Sequence, residues 1–281
     1  MSLHKTKSVK NHALSLFYGF CQLYETKDMD LFGPGMIALL SDDIVVRGPD
    51  GTFKGRQEYL KRFNILRQWS HAFHVHDTDF KRVRQGLYLL TVKLVYQNIL
   101  PDWSESCYAV TFLITLRQTD EHRLIISEIE TKPVLLTGCK PFESSYHKSR
   151  ALSFMHYWFY CLDTAKGDAS VFKNLLAGDF SISINGEEAL SDWVSFEAWI
   201  REQTGAITDS VCYPTNFLFK TYADDLISFN IDLLWKRIHN TEERVERQSF
   251  QTWYLQADQG ARFARLKNAE IRIKDQKLRP G

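Results

Sequence analysis

The sequence predicts an α+β protein made of two tandem copies of one domain. Each copy is a curved, mainly antiparallel sheet wrapped on three N-terminal helices. Three observations predict this. The chain repeats itself with a shift near 138 residues. Within the first copy, helix-like periodicity comes first and strand-like alternation follows, the order that gathers helices on one face of an antiparallel sheet. A length of 281 residues is long for one core and comfortable for two.

The repeat is clearest in the first helix. With a shift of 138, Ala13, Leu16, Phe17, Phe20, Cys21 and Tyr24 fall on Ala151, Phe154, Met155, Trp158, Phe159 and Leu162. These positions form one stripe of an amphipathic helix. "LLSDDIVVRG" from Leu39 then matches "LLAGDFSISI" from Leu175, "KLVYQ" from Lys93 matches "DLLWK" from Asp232, and "ISEIE" from Ile126 matches "NAEIR" from Asn268. The shift drifts only from 136 to 142, as changing hairpin loops would produce. The expected domains are 8–135 and 147–276, joined by a linker at 136–146 that Gly138, Pro141 and a serine pair mark.

The elements of the first copy follow in order. A long helix runs from about Asn11 to Thr26, and Asp28 is placed to cap a second helix that ends near Leu40. "IVVRG" is a strand, and "GPDGTFKG" a glycine-rich turn into a short one. "RQEYLKRFNILRQW" is a third helix, with Tyr59, Phe63 and Leu66 at helical spacing. Three long strands, "HAFHVHDTDFKRV", "LYLLTVKLVYQNI" and "CYAVTFLITLRQ", precede a last one, "RLIISEIET".

Composition excludes several function classes. The net charge is +1, with both signs spread along the chain, so no field steers nucleic acid or an anionic membrane. "KRIHNTEERVER" reads as a solvated hairpin, and the basic tail "RLKNAEIRIKDQKLRPG" as a strand edge and terminus. The mean hydropathy is −0.30, and no apolar run reaches the length of a signal peptide or a membrane span. The five cysteines, Cys21, Cys107, Cys139, Cys161 and Cys212, are widely spaced with no C-x-x-C pair. Zinc and redox motifs are therefore absent, and a reducing cytoplasm is the default. Neither a nucleotide motif nor a metal-ligand set stands in the sequence, so no cofactor and no metal are expected. Aromatic residues make up 14% of the chain, which suits an apolar pocket.

The element order, together with "YETKDMD…LLSDDIVV", resembles the superfamily of nuclear transport factor 2, ketosteroid isomerase, SnoaL-like cyclases and scytalone dehydratase. The resemblance covers nearly the whole chain twice and implies two SnoaL-like, cystatin-like cones. The isomerase pattern fails residue by residue: its tyrosine, base and protonated acid fall on Phe20, Gly48 and Val110. The dehydratase pattern does better. Its helix-one tyrosine and acid fall on Tyr24 and Glu25, and its catalytic histidine on His74. Its second histidine falls on Tyr96, and its strand-one tyrosine on Gly48. In the second copy Asp163 stands where Glu25 does, but Val211 stands near the position of His74, which marks that copy as structural.

The resemblance thus implies acid/base chemistry on a small apolar carbonyl compound, a lyase or isomerase reaction. A neutral His74 would take the α-proton, a buried Glu25 would orient it, and Tyr24 and Tyr96 would donate to a substrate oxygen. Phe17, Phe20, Trp69, His76 and Val110 are the expected wall. In "SHAFHVHD", strand alternation puts His74 and His76 on the cavity face, leaves His71 in a surface turn, and points Phe73 and Val75 outward. His74 equally reads as a core histidine, Glu25 as a solvated helix end, and Tyr24 as plain core. Two other functions stay open: a module that binds an apolar ligand without turnover, and a scaffold like the small subunits of ring-hydroxylating dioxygenases. The expected partners are a small apolar ligand and the other copy, as an intrachain pseudo-dimer, with further homo-oligomerisation open.

Overall fold

The computed structural model describes residues 3–26, 28–66, 68–119, 123–221, 226–257 and 261–274. The end of the basic tail, from residue 275, and the side chain of Phe63 lie outside the described residues.

The first repeat holds α1 (Leu3–Glu25), α2 (Met29–Leu39), β1 (Leu40–Gly48), β2 (Gly51–Lys54), α3 (Arg56–Leu66), β3 (Ser70–Arg84), β4 (Leu87–Ile99), β5 (Glu105–Gln118) and β6 (Leu124–Leu135). The carboxylate of Asp28 accepts the backbone N–H groups of Asp30 and Leu31, so the N-cap of α2 forms as its sequence requires. The β1–β2 turn closes at Gly51, whose φ of 119° suits glycine alone.

The six strands lie in the order β2-β1-β6-β5-β4-β3. All neighbours run antiparallel except β1 and β6, which are parallel. The strands alternate in burial as a sheet with one covered face demands. On β4, Tyr88, Leu90, Val92 and Leu94 are buried, and on β5, Val110, Phe112, Ile114 and Leu116 are buried. The α1 stripe of Leu16, Phe17 and Phe20 is itself at most 2% exposed, and Phe17 packs on Phe112 of β5.

The second repeat holds α4 (Tyr146–Thr164), a 3-10 turn (Ser170–Phe172), β7 (Leu176–Ile184), β8 (Glu187–Leu190), α5 (Trp193–Thr204), β9 (Ile207–Thr221), β10 (Leu226–His239), β11 (Arg244–Gln256) and β12 (Arg265–Lys274). Its sheet order, β8-β7-β12-β11-β10-β9, copies the first element for element, with β7 and β12 again parallel. The α+β class and the duplication are as expected. The second helix is the exception: in this copy it shrinks to the single 3-10 turn.

The chain forms two compact units whose limits differ from the repeat limits of 8–135 and 147–276. One unit is Ala13–Ser153, and the other takes the residues before Ala13 and after Ser153. Within the first of them, Ser15 and Ser153, one repeat shift apart, each donate a hydroxyl to the other's carbonyl, at 2.8 and 2.9 Å.

The linker is not a free tether. Leu136 donates its N–H to the Cys107 carbonyl, and Cys139 is disulfide-bonded to Cys107. The Gln97 amide donates to the carbonyls of Lys140 and Pro141, and the Ser145 hydroxyl accepts the N–H of Phe73. The segment therefore crosses β5 and β4 and reaches the edge strand β3. The disulfide corrects the expectation of five reduced cysteines: the other three, Cys21, Cys161 and Cys212, are free and buried. Two cysteines separated by 32 residues carry no spacing signal. No described helix is long and apolar enough to cross a membrane.

Candidate functional site

A cavity of about 420 Å³ lies between the helices and the sheet of the first repeat. Its wall follows from two periodicities. Phe20 and Tyr24 stand one turn apart on α1, and Tyr59, Arg62 and Leu66 share a face of α3. Every second residue of the strands completes it: Tyr96 and Asn98 on β4, Tyr108, Val110 and Phe112 on β5, Ile129, Thr131 and Pro133 on β6. Phe73, Tyr96 and Tyr108 are directly opposite one another on β3, β4 and β5. Their rings make a column, with centroids 5.2 and 6.3 Å apart.

The polar groups gather among the phenols. The Tyr24 and Tyr59 hydroxyls share a hydrogen bond. The Tyr96 hydroxyl meets Nδ1 of His71 at 2.7 Å, and Nε2 of His71 meets the carbonyl of Leu66 at 2.9 Å. Asn98, two residues along β4 on the same wall, accepts the Ser106 hydroxyl through its Oδ1. Burial raises the pKa of Tyr24, Tyr59 and Tyr96, and the nearby Arg62 guanidinium pulls each the other way. All three phenols are therefore neutral at pH 7. Burial lowers the pKa of His71, so its imidazole is neutral too. Arg62 is paired with Asp50, a second wall residue.

Five of the residues singled out in the sequence line this cavity: Tyr24, Tyr96, Phe20, Trp69 and Val110. Phe17 does not; it is fully buried core, packed on Phe112 at 5.8 Å. The histidines correct the expected alternation. Phe73 is the wall residue of β3 and His71 is 3% exposed, while His74 sits on the opposite face. His74 bonds Gln97 through Nε2 at 3.0 Å, and His76 is exposed. The strand was read one residue out of phase, which exchanges its two faces.

The expected His74–Glu25 pair is therefore not formed. Glu25 accepts the N–H and hydroxyl of Ser145 at 2.9 and 2.6 Å, and the Ser144 hydroxyl at 3.4 Å. Burial outweighs these donors and pushes its carboxyl up to about 8. Asp163 does the equivalent work in the second repeat, accepting the Cys212 N–H at 3.0 Å and the Ser210 hydroxyl at 2.9 Å. It too is raised by burial, to about 7.

Sequence reasoning missed Tyr59, Arg62, His71, Phe73, Asn98 and Tyr108. Two signals could have found some of them. Arg62 is one turn from Tyr59, already noted on the helical stripe, and Tyr108 faces Tyr96 once β4 and β5 form a hairpin. In the second repeat the equivalent space is about 60 Å³, closed by Trp158, Trp199, Trp235 and Trp253. Among the described residues, no cluster of three or more His, Cys, Asp or Glu is placed to hold a metal.

No protein-family profile matches the sequence, and no curated protein matches it as a relative. Solved structures do match its fold, each over about half of this chain. A nuclear transport factor 2-like superfamily protein from Salmonella enterica serovar Typhimurium is 10% identical, with a TM-score of 0.41, over 47% of this chain and 94% of its own. A hexachlorocyclohexane dehydrochlorinase, LinA-type3, from Novosphingobium barchaimii is 12% identical, with a TM-score of 0.41, over 48% and 94%. ActVI-ORFA from Streptomyces coelicolor is 12% identical, with a TM-score of 0.37, over 44% and 96%.

Proposed function

We propose that the first repeat is a binding module for a small, ring-containing apolar molecule with one polar end, held without turnover. The observation that carries this is the cavity itself: about 420 Å³, walled by aromatic and aliphatic side chains, with its hydroxyls and one guanidinium clustered. Size and lining match small-molecule sites in general, which are mostly apolar with a few placed polar groups. The ring column of Phe73, Tyr96 and Tyr108 offers faces and edges to an aromatic ligand.

Turnover by the dehydratase scheme needs a base that reaches the substrate. His74 bonds Gln97 on the other face of β3, and Glu25 is occupied by the linker serines. His71, the histidine behind the wall, has both nitrogens engaged. A pocket whose acid and histidine stand apart favours binding over elimination.

The test is a neutral apolar fluorophore, N-phenyl-1-naphthylamine. It should light up on the wild-type protein with one saturable site. Val110→Trp, which fills the cavity from β5, should abolish the signal while circular dichroism stays unchanged. No enhancement with the wild type, or full enhancement with a folded Val110→Trp, overturns the reading.

A further inference from the structure

Resting on that binding reading, we infer that the ligand's polar end is a hydrogen-bond donor, a hydroxyl or N–H, which Tyr96 accepts. The direction of each bond follows from a backbone carbonyl. The Leu66 oxygen can only accept, so Nε2 of His71 carries the proton and donates across 2.9 Å. A neutral imidazole has one N–H, so Nδ1 is a bare lone pair. The Tyr96 hydroxyl, 2.7 Å from that nitrogen, must donate to it. A phenol has one proton. Towards the cavity, then, the Tyr96 oxygen offers only lone pairs, and a ligand carbonyl placed there meets an acceptor with an acceptor.

The rest of the site keeps this arrangement. His71 is 3% exposed, so water does not replace Leu66 as its partner without opening the wall. Asn98, the neighbouring wall residue of β4, is 4% exposed, and its Oδ1 already accepts the Ser106 hydroxyl at 2.6 Å. No partner of Tyr96 supplies it with a second proton to give. The consequence is a preference by chemical class. Hydroxylated arenes or indole-like N–H rings fit, while ethers and simple ketones of the same shape leave Tyr96 unmatched. This reverses the role that the sequence implied for Tyr96, as a donor to a substrate carbonyl.

The test uses two probes of nearly equal size, 4-phenylphenol and 4-fluorobiphenyl, with binding read by calorimetry at neutral pH. Fluorine replaces the hydroxyl without adding bulk and removes the proton. The wild type should bind the phenol about 10-fold tighter or more, the scale of one buried acceptor left unmatched. In Tyr96→Phe the two affinities should fall within about 3-fold of each other, with the fluoro compound little changed. Equal binding of the two probes by the wild type overturns the inference and leaves the binding module standing. Binding of neither overturns both. Should Tyr96→Phe not fold, the nitrogen chemical shifts of His71 in the wild type decide. A protonated Nε2 with a bare Nδ1 is expected, and the opposite tautomer sinks the inference.

Discussion

Glu25 and Asp163, one repeat shift apart, each accept one backbone N–H and one serine hydroxyl or more. Both stand at the end of their repeat's first helix, and both secure an edge strand. Asp163 takes the Cys212 N–H directly, whereas Glu25 takes Ser145, whose hydroxyl takes the Phe73 N–H at 2.7 Å. The folded protein raises Glu25 from 4.5 to about 8 and Asp163 from 3.8 to about 7, in each case chiefly by burial. A raised carboxyl binds a proton in the folded state that the unfolded chain has released. The stability linked to that proton is fully present below the unfolded pKa and is lost as pH rises through the folded one. Conformational stability should therefore decline from about pH 4 to about pH 8, by an amount on the order of 5–10 kcal/mol from the two groups together. Glu25→Gln should flatten the part centred on Glu25. Denaturant titrations at several pH values check this, and an unchanged slope in Glu25→Gln would refute the linkage. At His74 the expectation is silence: His74→Ala should leave fluorophore affinity within about 2-fold, because its ring is on the far face from the cavity.

At the scale of elements, helix and strand periodicity made nearly everything legible, and phase made one thing illegible. β4 runs Leu87–Ile99, as its alternating apolar pattern implies, and Asp28 announced the start of α2. β3 is different. "HAFHVHD" is apolar or aromatic at both parities, so alternation alone does not say which set faces the core. Its pairing with β4 settles it, since Phe73 stands opposite the inward Tyr96. A tertiary register, not a local pattern, decided the site. The acids carried an unused signal: an acid persists at 25 and 163 although the histidine does not, as a structural role predicts. The linker was invisible for another reason. Its anchors are backbone groups, one glutamine, one cysteine pair and the serines that meet Glu25 and the Phe73 N–H, none with a spacing rule. Its disulfide encloses a long loop, and replacing Cys107 and Cys139 with serine should cost about 2–4 kcal/mol of stability under oxidising conditions. Denatured, unreduced protein should titrate with three thiols, the number of free cysteines. A count of five would refute the bond.

At the scale of the whole molecule, the duplication supplies its own control. The two sheets have the same strand order, yet one encloses about 420 Å³ and the other about 60 Å³. The difference is ring volume at matched places. Trp158 stands at the position of Phe20 and packs against Trp253, Phe172 and Phe154, with centroids 5.4, 4.8 and 5.9 Å away. Trp253 is fully buried and its indole N–H is satisfied by Gln251 at 2.8 Å. Packing of this density leaves no room for a ligand, so rings that face a void in the first repeat act as ordinary core in the second. The fluorophore should therefore bind with a stoichiometry of one per chain. Trp158→Ala makes the contrast quantitative. Removing this ring from a closed core should cost about 3–5 kcal/mol. Ligand affinity at the first repeat should change by no more than about 2-fold, because Trp158 is not among the residues that line that cavity. Calorimetric unfolding together with fluorophore titration reads both numbers. A Trp158→Ala protein that keeps its stability but loses the fluorophore would place the ligand in the second repeat and reverse the assignment of the two copies.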